Sequence, residues 1–270
     1  MNNGIKIFLI VLLSLLVLGL VFFLVGFIVN GYSFDFIFGK AKLIETKEFD
    51  SINNLSIDTN IADIYIKESK DDKVKVELYS KKYEEKEISN TEKELKVTLK
   101  EKCVLFCFFN RSKINVYLPK NYDKDIVINS TTGDIEVDSY SKSDAVINTT
   151  TGDINLKSIK DATINVTTGD IDIDEVNDLV INSTTGDINL GIVNNSIELS
   201  TTTGDIDIKE LNINKNSKIK ASTGDICIKK TNSIYIEGNT STGDVNISNN
   251  NRKSDIELKI KTSTGDIDVN

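Results

Sequence analysis

From residue 121 onward the chain alternates apolar and polar positions with a period of two, broken at regular intervals by Gly-Asp. Such alternation sends successive side chains to opposite faces of a strand, whereas a helix needs a spacing near 3.6. Gly-Asp recurs at Gly133, Gly152, Gly169, Gly186, Gly204, Gly224, Gly243 and Gly265, at intervals of 19, 17, 17, 18, 20, 19 and 22 residues. Each copy reads Thr or Ser, Thr, Gly, Asp, then Ile or Val, one further residue and an aliphatic. In the fifth copy Ile197, Leu199, Thr201 and Thr203 share one parity; the phase shifts at Gly204-Asp205, and Ile206 and Ile208 continue it. Each copy therefore predicts a strand, a sharp corner and a second strand. A short third contact (Ile159, Val176, Val193, Leu211) and a loop of variable length follow.

One such turn buries almost nothing, so the repeats must stack. At about 4.8 Å per layer, eight of them give an aliphatic core roughly 38 Å long, an all-β solenoid spanning residues 121–270. Glycine opens backbone angles closed to other residues at the corner. A degenerate copy precedes the regular ones: with Asp63 set on the repeat aspartate, Leu55, Ile57, Thr59, Ile64 and Ile66 fall on the core parity, with Ala62 in place of Gly and Ile61 in place of Thr. The strands Val74–Leu78, Leu95–Leu99 and Ile114–Leu118, with a charged loop near 84–94, read as an antiparallel β cap within residues 45–120.

The other strong signal is Ile7 to Val29, 23 residues without a charge. As a helix this spans roughly 34 Å, enough for a bilayer core and longer than the apolar core of a cleaved signal peptide. It predicts one retained transmembrane helix, residues 1–6 cytoplasmic, a juxtamembrane linker over 30–44 and the repeats outside the cell membrane. Tyr32, Phe34, Phe36 and Phe38 alternate just beyond the span, fit either for the headgroup belt or for a strand.

Charge narrows the partners. The net charge is −9, and residues 121–270 alone carry 14 Lys/Arg against 25 Asp/Glu. Nucleic acid needs clustered basic residues and is not an expected partner. Histidine is absent, and Cys103, Cys107 and Cys227 form no zinc-type set, so no cofactor or metal is expected. Only Arg111 and Arg252 supply guanidinium groups, and no carboxylate cluster stands out, so no catalytic residue is assigned.

The repeat corners are the candidate structural sites: Gly133, Asp134, Gly152, Asp153, Gly169, Asp170, Gly186, Asp187, Gly204, Asp205, Gly224, Asp225, Gly243, Asp244, Gly265 and Asp266. Stacking brings these aspartates together, and like charges about 5 Å apart repel. Hydrogen bonds from corner amides and from Thr/Ser hydroxyls would compensate. A row of calcium ions is the other reading, but calcium-binding β-rolls carry more glycine and an Asp every ninth residue, which this chain lacks. Asn129, Asn148, Asn165 and Asn182 form an outward ladder beside Thr131, Thr150, Thr167 and Thr184. That ladder either stabilises stacking or meets a repeating ligand such as a glycan. The apolar run Cys103–Phe109 reads as a hairpin tip or a buried cap strand, with Cys103 and Cys107 close enough in sequence to pair. Cys227 sits outward as a free thiol. The last repeat ends at Asn270, so its edge is expected to be open and able to dock a second copy.

Ile-Asn-Val-Tyr-Leu-Pro-Lys at 114–120, followed by Ser-Thr-Thr-Gly-Asp-Ile repeats, resembles the bacterial β-strand-repeat domain family called "putative adhesin", a family of unknown function. The resemblance covers about residues 45–270 and implies a β-solenoid exposed on the cell surface, with no established catalytic residues. A membrane-anchored, non-catalytic binding module follows, with a protein or glycan partner at the envelope. The alternative is an envelope-stress accessory acting through a membrane partner.

Overall fold

The computed structural model describes residues 3–29, 40–81, 83–101 and 112–270. The aromatic segment at 32–38 and the Cys103–Phe109 run, including any pairing of Cys103 with Cys107, lie outside the described residues. The apolar N-terminal stretch forms one helix, α1 (Asn3–Val29), whose side chains from Gly4 to Val25 are all exposed. At 1.5 Å per residue it is about 40 Å long. Its one hydroxyl, on Ser14, turns back to the Val11 carbonyl at 2.7 Å, so no free hydroxyl donor breaks the apolar surface beyond Lys6.

The rest is strand. In chain order come β1 (Lys42–Phe49), β2 (Asn54–Glu68), β3 (Val74–Ser80), β4 (Tyr83–Asn90), β5 (Glu94–Glu101) and β6 (Ser112–Leu118). The repeats supply β7 (Ile126–Thr132), β8 (Ile135–Thr151), β9 (Ile154–Thr168), β10 (Ile171–Thr185), β11 (Ile188–Ser200) and β12 (Ile206–Leu211). They end with β13 (Ser217–Lys220), β14 (Ile226–Ile228), β15 (Tyr235–Asn239), β16 (Val245–Ile247), β17 (Glu257–Lys261) and β18 (Ile267–Val269). Each course of the solenoid has a first arm, the Gly-Asp corner and a second arm, and neighbouring courses pair in parallel and in register.

Register stacks identical positions. Ile57, Ile128, Ile147, Ile164, Ile181, Leu199, Ile219 and Ile260 form one inward column of first arms, every one at or below 1% exposure. Burying each such side chain contributes about 1.5–3 kcal/mol, which is why the alternation dominates the sequence. Ile159, Val176, Val193 and Leu211 are buried as the third contacts. Tyr140 continues that column, its ring edge-on to Tyr122 with centroids 6.3 Å apart.

The degenerate copy is a full course. Leu55, Ile57, Thr59, Ile64 and Ile66 are all buried, and β2 passes the corner at Ala62-Asp63 as continuous strand. The cap departs from the expected antiparallel hairpins. β5 and β6 run parallel to the two halves of β2, with Leu55 opposite Leu95 and Ile64 opposite Ile114, and so make one more course. Among the described strands only β1, β3 and β4 are antiparallel, and they close the stack's near end: β3 on β6, β1 on β3 and β4 on β5. Most of the stretch expected to be a charged loop is the strand β4, which sets Ile88 inward at 5% exposure and spreads its charges along the other positions. β1 begins within the stretch read as a linker.

The far end is out of sequence order. β17 and β18 pair with β13 and β14, while β15 and β16 pair only with β17 and β18. The eighth Gly-Asp course thus lies between the sixth and the seventh. The last strand of the chain is interior, and the open edge belongs to β15 and β16, a correction to the expectation that Asn270 marks the edge. The reason lies in side chains. The eighth copy offers Leu258, Ile260 and Ile267 inward, all at most 1% exposed. In the seventh copy Gly238 stands opposite Ile260, and the smaller Val245 stands opposite Ile267. The more apolar copy takes the inner slot, and the 22-residue interval before Gly265 is the longest and supplies the chain needed to return.

Candidate functional site

At each corner glycine the backbone takes φ between 135° and 149°, a region that favours glycine. A β-carbon there would also lie 2.0–2.2 Å from a backbone oxygen of the adjacent course. This close approach lets every corner glycine but Gly243, which lies in the outermost course, donate its N–H to the Thr carbonyl of the next course, as from Gly152 to Thr168 at 3.0 Å.

The aspartates stand in one column. The amide of Asp153 donates to Oδ1 of Asp134 at 3.2 Å, and the same bond joins Asp170 to Asp153, Asp187 to Asp170, Asp205 to Asp187 and Asp225 to Asp205. The column begins at Asp63, which accepts from Asp134, and ends Asp225, Asp266, Asp244. Every carboxylate of the column but the last, Asp244, accepts the amide of the neighbouring course, so the compensation runs between layers. Among the described residues no group of three or more His, Cys, Asp or Glu is arranged to hold a metal ion.

The inward parity expected along the first arms holds through Thr201 and Thr262 but fails at the threonine next to Gly. Thr201 and Thr262 point inward, at 4% and 0% exposure, but Thr203 and Thr264, immediately before Gly, are exposed and serve through their backbone. The inward hydroxyl thus lies three residues before the glycine. Thr262 donates to the Gly224 carbonyl at 3.2 Å, whereas the hydroxyls of Ser130, Thr149, Ser183 and Thr201 are buried with no hydrogen-bond partner. Val166 occupies the same column between Thr149 and Ser183.

Outward on the first arms lies the amide ladder. Asn148 donates to Asn129 at 3.0 Å, Asn165 to Asn148 at 2.9 Å and Asn182 to Asn165 at 3.0 Å. Beside it run Thr131, Thr150, Thr167 and Thr184, all exposed. The two stripes line an open groove of about 490 Å³. Asn148, Asn165 and Asn182 each spend one N–H on the preceding asparagine and keep another, so the stripe both supports stacking and presents donors to solvent.

Cys227 is a free, part-buried thiol between Asp207 and Asp268, and burial followed by the Asp207 charge pushes its pKa up, away from reactive thiolate. Asp178 is the most heavily bonded carboxylate of the return segments. It accepts from Asn195 at 2.8 and 2.9 Å, from Ser196 and from Lys215 at 3.3 Å. Burial pushes its carboxyl up, but the bonds from Ser196, Asn195 and Lys215 overcome this and hold it below the usual aspartate value. Neither the parallel cap nor the exchanged final courses could be found by pattern within single strands, because both are matters of which strand lies beside which.

With this geometry in view, residues 52–270 match the family described as Toastrack DUF4097. The chain belongs to that family. No curated protein matches it significantly. Among solved structures, it is similar to one titled a "putative adhesin" from Parabacteroides merdae, at 17% identity and TM-score 0.45, covering 86% of this chain and 98% of that one. A structure titled a "putative lipid binding protein" from Parabacteroides distasonis is similar at 15% identity and TM-score 0.44, covering 84% and 96%. A "putative adhesin" from Bacteroides fragilis is similar at 17% identity and TM-score 0.37, covering 85% and 97%.

Proposed function

We propose that this Toastrack protein is a membrane-tethered, non-catalytic binding module, with α1 in the cell membrane and the solenoid outside it, meeting an envelope or surface partner along its first-arm face. One observation carries the reading: the exposed Asn and Thr stripes repeat at the layer spacing on a backbone held by parallel pairing. A rigid array of evenly spaced donors and acceptors suits a partner that is itself extended and repetitive. Adhesion is the nominal role, in keeping with the titles of similar structures. The corner aspartates and glycines serve this function by building the scaffold, and no cofactor takes part.

The test is photo-crosslinking in intact cells from positions Asn148 and Asn165, with positions on α1 as a second set. Capture of a glycan or surface protein from the asparagine stripe supports the module. Capture only from α1, of a membrane protein, replaces it with an envelope-stress accessory signalling through its helix. Self-association belongs to the same reading, through the edge of β15 and β16 rather than the last strand.

A further inference from the structure

The outward column that holds Asn129 to Asn182 continues as Ser200, Lys220, Lys261 and Asn239. Lys220 and Lys261 are directly opposite on neighbouring parallel strands, about 4.8 Å apart at the backbone, and Lys218 stands two residues from Lys220 on the same face. Like charges placed directly opposite destabilise a sheet. The other lysine of this face is neutralised: Lys259 reaches Glu257 at 3.2 Å and stands opposite Glu237. Lys218 stands between Glu198 on one side and Lys259 on the other. Lys220 and Lys261 are opposite only the uncharged Ser200 and Asn239 on their outer sides. The Lys218 ammonium, with burial and Lys261, pushes the Lys220 pKa below the usual lysine value, and Glu198 only partly offsets this. In a chain of net charge −9, three lysines on one outward face at the end of a polar stripe, two of them directly opposite each other, are a local concentration of positive charge.

We propose that Lys218, Lys220 and Lys261 form an oxyanion site receiving one phosphate or carboxylate group of an otherwise uncharged, hydroxyl-rich chain laid along the asparagine stripe. This rests on the binding-module reading and names its ligand class. An ammonium cluster is satisfied by an oxyanion bridging it through charge-assisted hydrogen bonds. The corner column, with Asp205, Asp225 and Asp266 following these arms, repels a continuous polyanion. The site therefore selects an isolated anionic group.

The experiment uses the full chain in a neutral detergent at low salt, isotopically labelled for backbone amide spectra. sn-Glycerol 1-phosphate is titrated as the phosphate probe, glucuronate as the carboxylate probe and glycerol as the uncharged control. Saturable shifts confined to residues 218–222 and 259–263 are expected with one or both anions and not with glycerol, and the stronger probe identifies the source. K220Q/K261Q should weaken binding at least tenfold, with a melting temperature equal to or above that of the unaltered protein, as relief of repulsion requires. K157Q, at a lysine paired with Asp138 on a second arm, should bind normally. Absence of saturable shifts, or equal weakening by K157Q, overturns the site. If that happens while crosslinking from Asn148 still captures a partner, the oxyanion site alone is rejected and the module stands.

Discussion

A methyl group added at Gly169 would sit 2.1 Å from the Gly152 carbonyl oxygen, with the backbone already at a φ of 149°. Neither conflict relaxes without parting two courses, so Gly169→Ala should cost about 3–5 kcal/mol, measured by urea unfolding followed by circular dichroism. Thr149 presents the opposite case. Its hydroxyl is buried without a partner, and Val166 shows that a valine fits the same column. Thr149→Val should be neutral or stabilising by about 1 kcal/mol in the same assay, since an unsatisfied polar atom is replaced by an apolar one of equal shape. Asp178 sets a pH dependence. Its folded pKa is depressed, so its contribution is present above the unfolded value near 4 and is lost as pH falls through the folded value. Acid unfolding monitored from pH 6 to pH 2 should show a smaller loss of stability in Asp178→Asn than in the parent, because the variant has no such proton to bind.

Elements derive their stability from neighbouring layers. The parallel arms are short, three residues in β14, β16 and β18, and none would persist alone. The aspartate column ties them, each carboxylate from Asp63 to Asp266 accepting the next amide at 2.8–3.2 Å. Since amides already satisfy these carboxylates, the ladder does not need calcium. Melting temperature should move by no more than a degree or two on chelation, a result read directly by differential scanning calorimetry; a large drop would assign metal to the column. The element-level pattern also explains Ala62. β2 crosses its corner as extended strand, so the position needs no glycine, yet Asp63 keeps its place at the start of the ladder.

On the scale of the whole molecule, the two ends of the stack differ. The near end is closed by antiparallel strands rich in charge, a common way to block edge pairing. At the far end Asn250 seals the outer side of β15, its side chain accepting from the Ile236 amide at 3.1 Å and donating to the Ile236 carbonyl at 2.8 Å. β16 has only β18 beside it among the described strands, and Val245 on it is 42% exposed. Self-association is therefore expected through β16, and Val245→Lys should shift the full chain in detergent toward monomer in sedimentation equilibrium. If the parent is monomeric across the accessible concentration range, the edge does not self-associate.

Alternation and the Gly-Asp spacing were enough to read the strands of the repeats, the corners, the stacked columns, the hidden course at Asp63 and the outward asparagines, but not β1 or β4. These are consequences of local backbone geometry repeated along the chain, and a period of two with a glycine at each corner admits few other packings. The parallel placement of β5 and β6 beside β2, and the insertion of the eighth copy between the sixth and seventh, were decided only by tertiary structure. Parallel and antiparallel partners impose the same alternation on a strand. The choice among near-identical copies turns on which buries its side chains better against a given neighbour, as Leu258, Ile260 and Ile267 do over Gly238 and Val245. The lysine cluster belongs with these, for only that exchange sets Lys261 against Lys220.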